Sequence, residues 1–486
     1  MEKITAEKPI SWLDGVDPKT GIIIQERHDL RGKSIKGKIL EMPYSIGSTV
    51  GSYTFFKMKK HGTLPAKIVL GKPDPITQAA ILAGVPVEVK GVKSQRIKYS
   101  VLTEGIPDRI LSFIEAEAQV SGAEEVVPIA SAHVSGASYE LIGDVGLEFL
   151  EELASEGGKV RVPTTLNPVS LDLEDWRQLG FSQEYAGKQA RIVSAYKRMG
   201  VNPTCTCTPY YAENCPLYGQ HVSWAESSAV AYVNSVIGAR TNRESGLKAL
   251  ASAILGGTPL YGLHLEENRK PRIKVQVEAP LRGHQYSWLG YWIGVNYGEI
   301  PLITGVKNVS RDQLKALGAG GGASGKMPLY HVEGITPEAL KGIDESRINL
   351  TVRFTLEELN DVRNKLTTTG QKPDLIAIGC PHLSLKEIEV IVQKLKGRKL
   401  ECDLWLFTSR RNKVYASRAG WTRTLEEVGA RLVADTCMVV SPIERLGYRV
   451  TATNSAKAAH YLRTLRGQDT ILGTIPELVE KYSRRV

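Results

Sequence analysis

Lys38-Ile39-Leu40-Glu41-Met42, followed by Pro43-Tyr44-Ser45-Ile46-Gly47-Ser48-Thr49-Val50-Gly51-Ser52-Tyr53, is the stretch that decides the fold. Residues 38–42 form an apolar-weighted run of strand length, closed by a proline. Residues 48–60 carry helical spacing and stop at Gly62. A strand leading through a short turn into a helix is half of a β/α unit. The following residues repeat it, with a strand over 66–70, a helix over 76–82 and a strand over 85–89. The spacing predicts a small α/β unit with parallel strands. Ser48 falls at the carboxyl end of the first strand, where such folds place ligands. Two readings of it stay open. It is an N-cap, the routine use of serine there, or its hydroxyl sits where amide dipoles favour negative charge.

Working outward, residues 1–35 read as irregular or strand-rich, and 90–98 as a polar, glycine-containing linker. From about Val101 a longer α/β alternation begins. Helices are expected over 110–120, 147–154, 176–199, 227–236, 244–255, 385–395 and 456–464. Strands are expected over 126–130, 159–162, 375–378, 403–407 and 431–434, with strand and loop character over 270–315. Gly318 to Gly325 reads as a loop before a strand at 327–332. Within it, Gly320 to Lys326 fits the phosphate-loop pattern G-x-x-x-x-G-K. That motif needs Ser or Thr next and then a helix. Met327-Pro328 and a strand-like run follow instead, which argues against nucleotide hydrolysis.

A chain of 486 residues, 42% hydrophobic and 23% charged, is long enough for two to four packed units and is not disordered in composition. The net charge is +10, but its basic residues are dispersed and runs such as Lys59-Lys60 and Arg410-Arg411 are short. This argues against nucleic acid and suits a small anionic substrate. The amino terminus lacks a basic region followed by an apolar run, and the apolar stretch 286–306 is broken by Asn296, Gly298 and Glu299. A cytoplasmic protein with no membrane span is expected.

Six cysteines in such a chain point to metal, redox or core use rather than a disulfide scaffold. Cys205 and Cys207 lie in Pro203-Thr204-Cys205-Thr206-Cys207-Thr208-Pro209-Tyr210. Cys380 and Cys437 each follow an apolar strand. Each could equally serve as a small buried hydrophobe. Three separated thiolates would also suit a 4Fe–4S cluster with one iron left without a protein thiolate.

At these residues a resemblance appears. Gly15-Val16-Asp17-Pro18 and Gly47-Ser48-Thr49-Val50-Gly51-Ser52-Tyr53 resemble the small subunit of aconitase X proteins. Ala132-His133-Val134-Ser135-Gly136, Pro163-Thr164-Thr165-Leu166-Asn167-Pro168, Trp224-Ala225-Glu226-Ser227-Ser228-Ala229, Gly379-Cys380-Pro381-His382 and Asn454-Ser455-Ala456-Lys457 resemble the large one. The resemblance spans roughly residues 10–465, with both subunits fused.

The resemblance implies a multi-lobed, aconitase-like α/β catalytic domain over 93–486, behind an N-terminal swivelling β/α domain over 1–92. It implies a hydro-lyase acting on mevalonate 5-phosphate or, in other members, on cis-3-hydroxy-L-proline, and its blocks look closer to the archaeal, phosphomevalonate set. Cys207, Cys380 and Cys437 would hold a 4Fe–4S cluster, with Cys205 a neighbour. Ser48 would be the catalytic base. Gly136, Ala137, Ser138, Asn167, Pro168, Glu226 and Ser227 would bind substrate. Lys457 would hold an anionic group or be a solvated helix lysine. Arg240 and Arg243 would grip acidic groups or serve as ion-pair partners, and His133 and His382 would be donors behind the site or core residues. A reading of another class is a non-enzymatic iron–sulfur protein that binds RNA.

Overall fold

The structure, a computed structural model, describes residues 2–46, 49–72, 74–91, 96–323 and 327–485. Ser48, the Gly47 before it, and residues 324–326 of the glycine run lie outside the described residues.

The amino-terminal unit is built on a four-stranded parallel sheet. Lys3–Thr5 pairs with Ile39–Met42, which pairs with Lys67–Leu70, which pairs with Val87–Val89. The alternating burial of Ile39–Met42 and Lys67–Leu70 puts Leu40, Met42, Ile68 and Leu70 into the core. A short 3₁₀ turn, Thr49–Tyr53, leads into the helix Thr54–His61, which Gly62 ends in the left-handed conformation. Asp74 ties the unit together. Its carboxylate accepts from the amides of Ser45, Ile76 and Thr77, so the strand before the serine turn is pinned to the next helix.

Behind this unit lie further sheets with parallel pairing at their centres. Ala132–Val134 runs between Thr164–Leu166 and Ser223–Trp224. A second sheet orders His331–Val332, Pro301–Thr304, Ile273–Val277 and Leu350–Phe354. A third orders Ala430–Ala434, Asp403–Thr408, Leu375–Leu383, Val450–Thr453 and Asp469–Leu472. All nine residues of Leu375–Leu383 are buried, as expected of a strand covered on both faces. The molecule is thus α/β with parallel sheets. No helix is long and apolar enough to cross a membrane, among the described residues.

Three local expectations are corrected. Residues 159–162 do not form a strand, and Tyr286–Asn296 is a helix rather than strand or loop. The described part of the glycine run, residues 318–323, is not a loop either. Gly318, Gly320, Gly321 and Gly322 lie inside the buried helix Arg311–Ala323. A side chain on Gly320 would collide with the carbonyl of Ser287, and one on Gly290 with the carbonyl of Leu317. The two helices pack backbone to backbone, and this contact outweighs the cost of about 1 kcal/mol that each mid-helix glycine carries. Sequence periodicity misses it because an apolar stripe made of glycine has no hydrophobic signal.

Candidate active site

Three cysteines come together from separate elements. Cys207 lies in the loop after Thr164–Leu166 and the helix Gln183–Arg198. Cys380 is inside the strand Leu375–Leu383, and Cys437 follows the strand Ala430–Ala434. Each comes just after a backbone turn with positive φ: Cys205 at 44°, Gly379 at 117° and Asp435 at 64°. For Cys205 and Asp435 this is an uncommon conformation, of the kind that gathers at functional sites. At Gly379 only glycine fits, because a side chain would meet the carbonyl of Phe407.

All three thiols are buried and line one cavity of about 80 Å³. The same cavity is lined by Gly136, Ala137, Ser138, Asn167, Pro168, Glu226, Ser227 and Lys457, and by Arg243. The three proposed ligand cysteines and the substrate-side candidates from Gly136 to Lys457 are therefore gathered at one place, whereas Cys205, Arg240, His133 and His382 do not line it. Together with Ser135, the residues Leu141, Val439, Val440, Tyr461 and Leu465 complete the wall, and these last five were not foreseen. They are ordinary apolar or aromatic residues whose role comes only from where the fold puts them.

Burial pushes all three thiols upward, Cys380 to about 12. Donors face each sulfur. The His382 amide donates to Cys207 Sγ at 3.3 Å, Ser455 to Cys380, and the amides of Val439 and Val440 to Cys437. Cys205, although buried, does not line the cavity.

Glu226 is the charged centre of the opposite wall. It caps the helix Ser227–Tyr232 by accepting from the Ser228 amide at 3.3 Å. Burial alone would raise its carboxyl, but the ammonium of Lys457 and the Ser228 donors hold it down at about 2. Lys457 Nζ pairs with Glu226 and reaches Ser227 Oγ at 3.4 Å. Only 8% exposed, Lys457 is not a solvated helix lysine. A chain of hydrogen bonds runs into this pair. Asn167 Nδ2 donates to Glu226 at 3.1 Å, and Asn167 Oδ1 faces His133 Nε2 at 3.3 Å. His133 Nδ1 meets Thr165 Oγ1 at 2.9 Å. Burial drives His133 down to about 4, so it is neutral and acts by holding the Asn167 amide in place.

The two arginines part company. Arg240 binds the His264 carbonyl at 3.1 Å and Glu266 at 3.2 Å, away from the cavity, whereas Arg243 lines it.

The amino-terminal unit reaches this wall through Tyr53. Its ring lies against Gly136, whose φ is +84°. A Cβ there would stand 2.7 Å from the ring and 2.8 Å from its hydroxyl. Phe56 packs on Phe149 with ring centroids 4.6 Å apart, and Lys57 Nζ donates to the carbonyl of Leu141 at 3.3 Å. Tyr53, five residues after Ser48 in the sequence, therefore lies against the Gly136 wall of the cavity.

On the far side the Cys437 loop is locked to the segment that follows Asn167 and Pro168. Val169 donates its amide to the Asp435 carbonyl at 2.8 Å, and Arg410 pairs with both Asp172 and Asp435. Burial would raise Asp172, but Lys413 and Arg410 hold it at about 2.

Among the described residues, no three Cys, His, Asp or Glu side chains are gathered closely enough for a single metal ion. Three thiols spread around one cavity, each with its own donors, fit instead a polynuclear group that takes one thiolate per iron.

Four aconitase X domain models match the chain. The swivel domain matches residues 2–104, the first domain 105–267, the second 271–364 and the third 373–484. The large subunit of phosphomevalonate dehydratase from Methanothermobacter thermautotrophicus is 50% identical, over 74% of this chain and 90% of that protein. The cis-3-hydroxy-L-proline dehydratase of Pseudomonas aeruginosa is 32% identical over 99% of this chain and 93% of its own. The phosphomevalonate dehydratase small subunit of Thermococcus gammatolerans is 46% identical over 20% of this chain and 74% of its own. The solved holo-form of Thermococcus kodakaraensis aconitase X superposes with a TM-score of 0.72 at 40% identity, covering 77% of this chain and 95% of that one. With matches running from residue 2 to residue 484, and counterparts of a large and a small subunit in one polypeptide, the chain belongs to the aconitase X family.

Proposed function

We propose that this hydro-lyase dehydrates (R)-5-phosphomevalonate to trans-anhydromevalonate 5-phosphate, as a step of an archaeal-type mevalonate pathway. The observation that carries the reading is the single cavity, where three thiols face an anchored carboxylate–ammonium pair and a guanidinium. The relatives add direction, since the phosphomevalonate dehydratase large subunit is 50% identical and the hydroxyproline dehydratase 32%.

In this reading Cys207, Cys380 and Cys437 hold a 4Fe–4S cluster. When bound, such a cluster with one iron free of protein thiolate supplies a Lewis acid for the leaving hydroxyl. The chain's own residues do the rest. Ser48 takes the proton from the carbon beside the substrate carboxylate, the tertiary C–O bond breaks, and the double bond forms between the two carbons. A serine is a weak base, so it needs a water-poor site and fixed donors. Arg243 offers planar, paired donors for a phosphate or carboxylate. Gly136 to Ser138 shape the wall on which the substrate lies. Asn167, fixed between His133 and Glu226, keeps its amide oriented. The Glu226–Lys457 pair keeps its charges balanced, so no net negative charge repels the anionic substrate.

The test is turnover of the anaerobically purified chain on both family substrates. Formation of the phosphorylated, dehydrated product supports the reading, with cis-3-hydroxy-L-proline a poor substrate. Preference for the hydroxyproline overturns it. That alternative has one observation in its favour, since the relative with that activity matches this fused chain almost end to end.

A further inference from the structure

The three thiol segments are far apart in sequence, and among the described residues no strand pairing joins Cys207 to Cys437. One buried residue touches both of their segments. His382, with no exposed surface, stands two residues after Cys380. Its Nε2 lies 2.8 Å from the carbonyl of Thr436, the residue before Cys437. A carbonyl only accepts, so Nε2 carries the hydrogen. Nδ1 is then bare, and accepts at 2.9 Å from the hydroxyl of Thr206, the residue before Cys207. The Thr206 oxygen in turn accepts from the Thr208 amide at 3.3 Å, closing a turn around Cys207. The backbone amide of His382 donates to Cys207 Sγ at 3.3 Å. Its carbonyl is held at 3.0 Å by the ammonium of Lys315, fully buried and paired with Asp312 and Glu387.

We propose that His382 is the positioning residue that sets the three thiols in register, its ring bridging the Cys207 and Cys437 segments from a backbone fixed beside Cys380. The proposal rests on the reading of these thiols as one cofactor frame. It assigns the two ring nitrogens separate tasks, and they can be separated by substitution. Glutamine places an N–H near the reach of Nε2, so His382→Gln keeps the Thr436 link and loses the Thr206 link. Asparagine places a carbonyl oxygen near the reach of Nδ1, so His382→Asn keeps the Thr206 link and loses the Thr436 link.

The experiment is site-resolved alkylation of the full chain, prepared without iron, with iodoacetamide as probe. Cys402, away from the frame, is the internal reference. In His382→Asn, Cys437 should react about fivefold faster relative to Cys207 than in the wild type. In His382→Gln the ratio should shift about fivefold the other way, the size expected for one buried hydrogen bond. Unchanged ratios, or rates that rise together with that of Cys402, overturn the proposal. In anaerobic holo-protein, both variants should also lose iron faster to a chelator than the wild type, and equal rates count against it. A wild-type chain that takes up no iron contradicts the cofactor reading, while the alkylation ratios still decide His382.

Discussion

The cavity has two sides built on different principles. The thiol side is a braced frame. Cys207 belongs to the first aconitase X domain and Cys380 and Cys437 to the third, yet His382, the Arg410 pairs with Asp172 and Asp435, and the Val169–Asp435 hydrogen bond tie these segments together. The amino-terminal side, whose sequence includes Ser48, is a packed unit. It has its own sheet, and it packs on the catalytic body through one continuous apolar core, with Tyr53 on Gly136, Phe56 on Phe149 and lysine contacts at its edge. On the proposed reading, the cofactor frame is held by many polar bonds from within, whereas the serine is brought to it mainly by apolar packing between two units. In this chain the two sides share one polypeptide, which keeps the docking intramolecular.

Substitutions should split along that line. The largest effect is expected from Cys380→Ala, which should abolish both turnover and iron retention. A variant that keeps its iron would break the frame account. Next comes Gly136→Ala. A side chain at φ +84°, pressed on Tyr53, costs roughly 1–3 kcal/mol and pushes the two sides apart. Turnover should fall about tenfold or more while iron content stays normal, and loss of iron would mean that the docking surface and the frame are one structure.

Lys457→Met sharpens the comparison within the catalytic body. It leaves the Glu226 carboxylate buried without its cation, and denaturant unfolding should show a loss of about 3–5 kcal/mol. Adding Glu226→Gln should recover most of it, and a double variant no better than the single one would show that the pair does not act as a unit.

The smallest effect comes from a second buried charge cluster. Lys248 faces both Glu117, at 2.9 Å, and Glu244, at 3.5 Å, with no exposed surface on any of the three. One cation serves two carboxylates. Burial outweighs Lys248 there and pushes Glu117 up to about 7, whereas Glu226, with a lysine to itself, is held down. Because the folded chain keeps a proton that the unfolded one releases near 4.5, stability should be full below that pH and fall as pH rises toward 7. The thermal midpoint should drop by roughly a few degrees over that window. Glu117→Gln should flatten the slope, and an unchanged slope would contradict the assignment.

Much of this was legible in the sequence, and the rest was hidden for physical reasons. The strand and turn before Ser48, and the cysteines at the ends of apolar strands, carry local signals of period and punctuation. So do Glu226 and Lys457 at helix starts. The helix containing Gly318 to Gly322 carries none, because its packing depends on side chains being absent. The separate tasks of Arg240 and Arg243 depend on which way two neighbouring side chains point, and spacing does not encode that. His382 was visible as part of Gly379-Cys380-Pro381-His382, but its bridging place depends on Thr206 and Thr436, more than fifty residues away on either side. Tyr53 fell inside the helix expected over 48–60, and only its contact with Gly136 shows it as a point where the two sides meet.

The proposed division of labour stands or falls on Ser48→Ala in anaerobically purified holo-protein. Turnover should disappear while iron content and the visible absorption of the cluster match the wild type. Near-normal turnover would return Ser48 to a capping role, and a loss of iron would place it in the frame instead of opposite it.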